Sequence, residues 1–152
     1  MRLVVIAVGR LKAGPLKSLE RDYAKRITWP LTIREVEERR PLPSAELKDR
    51  EGALVLAAVP RGATLVALDE RGTSLSSTGF AERIAAWRDA GVSNLAFALG
   101  GADGLSPAVR QAAMLTLSLG AMTWPHLLAR GLLLEQLYRA QQILAGHPYH
   151  RG

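Results

Sequence analysis

The chain has 152 residues, of which 48% are hydrophobic and 22% charged, and it contains no cysteine. That length suits one domain, expected to span residues 1–152, with a core of its own. The composition excludes a disordered chain. The missing cysteines exclude disulfide scaffolds, thiolate zinc sites and cysteine nucleophiles. Twenty Lys and Arg against fourteen Asp and Glu give a net charge of +6, and sixteen of the twenty basic residues are Arg. The guanidinium fork matches phosphate bidentately and stacks on bases, so the charge is the footprint of a nucleic-acid partner; a solvated basic surface would give the same count. No run of five like charges marks a polybasic tail. The opening Met1–Arg10 is too short to span a membrane and ends in Gly-Arg rather than a cleavage pattern. A soluble, cytoplasmic protein is expected.

Along the chain, the period alternates between strand and helix. Leu3–Val8 is a continuous apolar run, a buried strand. Pro15–Ile27 carries Leu16, Leu19, Tyr23 and Ile27 at helical spacing, and Trp29-Pro30 breaks the pattern. Leu31–Val36 reads as a strand. After the turn Pro41–Pro43, Ser44 is placed to cap a helix from Ala45 to about Ala58, with Leu47, Leu54 and Val55 inward. Thr64–Leu68 is a strand ending at Asp69. Ser77 or Thr78 opens a helix with Phe80, Ile84 and Trp87 in register, closed by Gly91. Asn94–Leu99 is a further buried strand. Ser106-Pro107 supplies an N-cap followed by Pro at the first helical position. Leu115–Leu119 is a short strand, and Pro125–Ala145 is the longest helix, ended by Gly146. Apolar strands separated by helices imply an α/β fold with a parallel sheet covered on both faces. Ligands of such sheets sit beyond the carboxyl ends of the strands, so the loops after Leu68, Leu99 and Leu119 are the informative ones.

Four segments stand out. Gly100-Gly101-Ala102-Asp103-Gly104 follows a buried strand and precedes a helix start, where backbone can approach a ligand closely; a plain tight turn has the same composition. It matches neither G-x-G-x-x-G nor a Walker A loop, and no acid stands about twenty residues on to hold a ribose. Leu119-Gly120-Ala121-Met122-Thr123-Trp124 combines small residues with an apolar wall, suited to a flat heterocycle. His126 after Pro125 serves equally as a helix-start hydrogen bonder or as a base. In the last helix, Arg130, Glu135, Gln136, Arg139 and Gln142 form the polar set, with Glu135 and Arg139 in the favourable i,i+4 order. Leu132-Leu133-Leu134 covers most of the circumference and suggests a partner subunit. The ending His147-Pro148-Tyr149-His150-Arg151-Gly152 offers either a fraying terminus or a titratable, stacking and phosphate-pairing set. With His only at 126, 147 and 150 and no H-E-x-x-H, no metal set is evident.

These pieces together resemble the SPOUT class of ribosomal RNA methyltransferases, and within it the bacterial family that methylates N3 of a pseudouridine in large-subunit ribosomal RNA. The likeness rests on Leu99-Gly100-Gly101 with Gly104-Leu105, on Leu117-Ser118 with Met122-Thr123 and Pro125-His126, and on Arg130. Glu135-Gln136 with Tyr138-Arg139-Ala140, Gly146 with Pro148-Tyr149-His150, Ala7–Lys12 and Tyr23–Arg26 complete it. The stretch near Pro41–Leu47 is shorter than in relatives, and Gly120-Ala121 is less polar. The resemblance implies a knotted parallel-sheet fold whose C-terminal segment threads a loop as a trefoil knot, against the general rule for connections. It implies S-adenosylmethionine as cofactor, held by Leu68, Gly100, Leu119, Gly120, Ala121, Met122, Thr123 and Trp124. It implies catalytic roles for His150, Tyr149, Arg151, Arg130, Glu135 and Arg139, a ribosomal RNA or ribosome substrate, a homodimer, and neither metal nor membrane partner. A non-enzymatic RNA-binding protein and a nucleotide-dependent oxidoreductase are the competing classes; the first needs neither loop, and the second lacks its ribose-binding acid.

Overall fold

A computed structural model describes residues 1–151; Gly152, the end of the expected domain and tail, lies outside the described residues. Ten elements alternate: β1 (Arg2–Val8), α1 (Pro15–Arg26), β2 (Leu31–Val36), α2 (Ser44–Ala58), β3 (Thr64–Ser74), α3 (Ser77–Asp89), β4 (Asn94–Leu99), α4 (Pro107–Ala112), β5 (Leu115–Ser118) and α5 (His126–Leu144). The strands form one sheet in the order β2-β1-β4-β3-β5, with every pairing parallel.

The two-residue period of the strands sorts the core into two layers. Leu3, Val5, Ala7, Leu95, Phe97 and Leu99 face α1, α3 and α5. Val4, Ile6, Val8, Ala96 and Ala98 face α2 and α4 through Val55, Leu105 and Val109. Continuous apolar runs therefore mark the central strands β1 and β4, which are covered on both sides, while edge strand β2 alternates between half-buried and exposed residues.

Several boundaries differ from the sequence reading. Pro43, not Ser44, is the N-cap of α2, and Ser44 is its first helical residue. Gly52 and Val55 are the buried residues of α2, with Leu47 and Leu54 half-buried. The N-cap of α3 is Ser76, whose Oγ accepts the Gly79 N–H at 3.0 Å; neither Ser77 nor Thr78 does so. Ser106 caps α4 as its Ser-Pro signature predicts, accepting the Val109 N–H. β3 runs on to Ser74 because its ladder with β5 resumes at Thr73 after a register shift beyond Leu68, and β5 stops at Ser118. Two of the three successive leucines of α5 find partners within the chain: Leu133 and Leu134 are 0% and 1% exposed against the sheet and its neighbouring helices, while Leu132 is half-buried.

Candidate active site

The carboxyl ends of β3, β4 and β5 open onto one cavity of about 810 Å³, a size suited to a cofactor-sized ligand. Leu68, Gly100, Leu119, Gly120, Met122, Thr123 and Trp124 all line it. Ala121, from the same segment, is exposed and does not. The shift in β3 explains what the sequence reading missed. Between Leu68 and Thr73 the strand leaves its partner, and Asp69, Glu70 and Arg71 reach the cavity wall. Glu70 Oε2 accepts from Thr123 Oγ1 at 2.7 Å, tying that wall to the segment after β5. Asp69 is held by Arg71 and Arg110, and hydrogen bonding to Arg71 lowers its carboxyl to about 2 despite partial burial. A charged cluster directly after an apolar strand was the available signal.

Gly100 is required by close approach. A Cβ there would lie 2.5 Å from the Gly104 carbonyl carbon and 2.8 Å from the Leu105 nitrogen, because Gly101 and Gly104 bridge to each other. The glycine turn thus packs against itself before it meets any ligand. Gly120, with φ +126°, has open space around its Cβ position. Its left-handed backbone carries the chain out of β5, where Ser118 Oγ both accepts the Gly120 N–H and donates to its carbonyl.

His126 lines the same cavity, and a Cβ on Gly9 would sit 3.7 Å from its Nε2. Burial first, and the charge of Arg130 second, lower its pKa below 6.5. Arg130 lies one turn further along α5 and is 1% exposed. It donates to Glu35 Oε2 at 2.5 Å and to the Gly9 carbonyl at 2.7 Å, and pairs with Glu20 at 3.7 Å. Burial would raise the Glu35 pKa, but the hydrogen bonds from Arg130 and the Leu11 N–H outweigh it and leave it lowered. Arg130 is thereby a clasp between α5 and the ends of β1 and β2. It is not grouped with the other residues given catalytic roles.

Four of those others, Glu135, Arg139, Tyr149 and His150, do gather. Glu135 Oε1 accepts from Arg139 Nη2 at 2.7 Å and from the Tyr149 hydroxyl at 3.1 Å. The Tyr149 ring stacks edge-on against Tyr138 and lies under the Arg139 guanidinium, each 4.8 Å away. Burial, then the Glu135 bond, raise the Tyr149 phenol to about 12. Arg139 Nη1 stands 3.2 Å from His150 Nδ1. Arginine only donates, so Nδ1 accepts and the neutral ring carries its hydrogen on Nε2. Tyr149 and His150 are therefore pinned along α5, while Arg151 is exposed. Arg139 follows His126 by thirteen residues, roughly 20 Å along a helix. The tail cluster and the head of the cavity lie at different levels of α5.

Among the described residues, no group of three His, Asp or Glu is arranged to hold a metal, and no helix is long and apolar enough to cross a membrane.

Comparison with known proteins gives this geometry a family. A family model described as "Predicted SPOUT methyltransferase" matches residues 1–150. "Ribosomal RNA large subunit methyltransferase H" of Rhodospirillum centenum is 58% identical over 152 residues, covering 100% of each chain. A probable methylase family protein of Haemophilus influenzae superposes with a TM-score of 0.58 at 11% identity, over 99% of this chain and 70% of that one. The SpoU methyltransferase AviRb of Streptomyces viridochromogenes, solved in complex with the cofactor AdoMet, gives 0.51 at 20% identity, over 93% and 58%. These two solved structures share the fold. The family match and the end-to-end relative, on a parallel sheet with its cavity at the carboxyl edge, show that the chain belongs to the SPOUT methyltransferase family.

Proposed function

We propose that this protein is an S-adenosylmethionine-dependent methyltransferase acting on N3 of a pseudouridine in large-subunit ribosomal RNA, presented on an assembled subunit or ribosome. The observation that carries the reading is the cavity in which Leu68, Gly100, Leu119, Gly120, Met122, Thr123 and Trp124 converge. The end-to-end relative named as a large-subunit ribosomal RNA methyltransferase supports the substrate class.

The cavity fits the cofactor chemically. Leu68, Leu99, Leu117 and Leu119 offer apolar walls for a heterocycle, the turn at Gly100–Gly104 offers backbone groups, and Asp103 offers a carboxylate toward a cationic ligand, Asp69 being already paired with Arg71 and Arg110. When bound, the cofactor supplies a methyl group on a positively charged sulfur, which leaves as a neutral thioether when the methyl passes to nitrogen. The chain then has to orient the acceptor base and take its N3 proton. Tyr149 stays a hydroxyl across the working range, since its pKa is pushed up to about 12; it positions rather than accepts. His150 is the proton acceptor in this reading. Its Nδ1 lone pair becomes free when Arg139 turns from it toward an RNA phosphate. Glu135 holds Tyr149 and Arg139 in place, Arg151 pairs with the RNA backbone, and Arg130 positions the head of α5.

The same reading makes the protein a cytoplasmic homodimer of one domain, residues 1–152. The separation of roughly 20 Å along α5 between the tail cluster and the cavity head supports a site completed by a second copy, as do Met122 and Trp124, 74% and 42% exposed beside the cavity. The trefoil knot belongs to the proposal too. Its support is the course of the chain after edge strand β5, which returns to place Arg130 against Val8 of β1 and the Gly9 that follows it.

Transfer of labelled methyl from S-adenosylmethionine to free ribosomal RNA, separate subunits and whole ribosomes tests the function. Incorporation into a large-subunit-containing substrate is expected; none into any of the three would overturn it. Light scattering showing a 16.4 kDa monomer at micromolar concentration would remove the dimer.

A further inference from the structure

A second cavity, of about 320 Å³, opens between the start of α3 and the middle of α5. It shares Leu117, Leu119, Gly120 and Trp124 with the cofactor-sized cavity, so Trp124 stands on the partition between the two. We propose that this second cavity receives the acceptor base, a single uracil-type ring stacked on Trp124 and read by the Gln136 side-chain amide. The inference rests on the methyltransferase reading above and names the subsite for its substrate.

Three features support it. The volume lies at the lower end of ligand sites, about 300–1,000 Å³, which favours one pyrimidine over a purine or a dinucleotide. Phe80, Leu132 and the indole of Trp124 give apolar contact to ring faces, and an indole half-exposed to solvent is available for stacking on an unstacked base. The Gln136 amide is fixed at both ends. Its Oε1 accepts from Ser77 Oγ at 2.7 Å and its Nε2 donates to Glu135 Oε2 at 2.9 Å. One N–H and one oxygen lone pair remain. An adjacent C=O and N–H on a uracil-type ring meets that pair side on.

The test uses full-length enzyme saturated with S-adenosylhomocysteine and titrated with pseudouridine 5′-phosphate, uridine 5′-phosphate or adenosine 5′-phosphate. The indole N–H resonance of Trp124, identified by its loss in Trp124→Phe, should shift with both pyrimidine nucleotides and not with the purine. Gln136→Leu should abolish that shift, leave S-adenosylmethionine affinity within about twofold, and lower kcat/KM on the ribosomal substrate about tenfold or more, the scale of one lost substrate hydrogen bond. Retained cofactor affinity also reports that the variant is folded. Equal response to adenosine 5′-phosphate, full methylation by Gln136→Leu, or a weakened cofactor in that variant would each overturn the assignment, the last by giving the cavity to the cofactor. Leu132→Trp should block methylation without changing the mass seen by light scattering. A change in mass would give the cavity to a second copy instead, and would also overturn it. Because the titration needs no turnover, absent methylation by the wild-type enzyme would count against the proposed function and not against this subsite.

Discussion

The Tyr149 hydroxyl donates to Glu135 Oε1 at 3.1 Å, on the same oxygen that Arg139 holds at 2.7 Å. One carboxylate oxygen thus fixes both the last aromatic residue of the chain and the cation beside His150. Deleting Tyr149–Gly152 should therefore separate cofactor binding from chemistry. S-adenosylmethionine affinity, measured by calorimetry, should stay within a few fold. Methylation should fall by about 10²–10⁴, the usual cost of removing a positioned proton acceptor. Full activity in the truncated enzyme would sink the role given to His150.

A site shared between two copies predicts complementation. Leu119→Arg places a cation in the cavity wall against a cationic cofactor, so that subunit should bind none while keeping its tail. Mixed with a tail-deleted subunit, it should restore one working site per heterodimer. If each tail serves its own cavity, the mixture will stay inactive in the labelled-methyl assay.

Gly100→Ala tests the glycine turn. The added Cβ would fall 2.5–2.8 Å from backbone atoms of Gly104 and Leu105, so the turn must shift even for the smallest side chain. Overpacking of that kind costs about 1–3 kcal/mol, and cofactor affinity should drop at least about fivefold by calorimetry. Wild-type affinity would show that the turn does not shape the site.

Arg130→Met should act on stability before catalysis. It strips the buried cation from Glu20 and Glu35, and Glu20 Oε2 is already without a hydrogen-bond partner among the described residues. Removing one member of a buried pair costs about 3–5 kcal/mol, which corresponds to a fall in Tm of about 10 °C for a chain of this size. Thermal denaturation decides it; an unchanged Tm would contradict the clasp.

His126 should make the fold acid-sensitive. Its pKa is lowered in the folded state by burial and by Arg130, so below 6.5 the unfolded chain binds more protons than the folded one. The stability that the neutral ring contributes is complete above that value and is lost as the pH falls through the window toward the folded pKa. His126→Gln should flatten the dependence of Tm on pH between 7 and 5; an unchanged slope would show that His126 does not set it.

What the sequence determined by itself follows from local physics. Continuous apolar runs at Leu3–Val8 and Asn94–Leu99 have one stable solution, a strand covered on both faces, and a parallel sheet puts its ligand at the carboxyl edge; hence the loops after Leu68, Leu99 and Leu119 were legible as the informative ones, while the individual residues came from the family resemblance. Ser106-Pro107 announced its own helix. Tertiary structure alone decided the remainder. Whether Arg130 on the same polar helix faces RNA, solvent or the core depends on which carboxylates the fold delivers, and it delivers Glu20 and Glu35 from α1 and β2. Whether three successive leucines need a second chain depends on how much of α5 the sheet and neighbouring helices already cover. The register shift that turns Asp69 and Glu70 into the cavity is a property of two strands pairing, and no residue pattern within β3 encodes where its partner resumes.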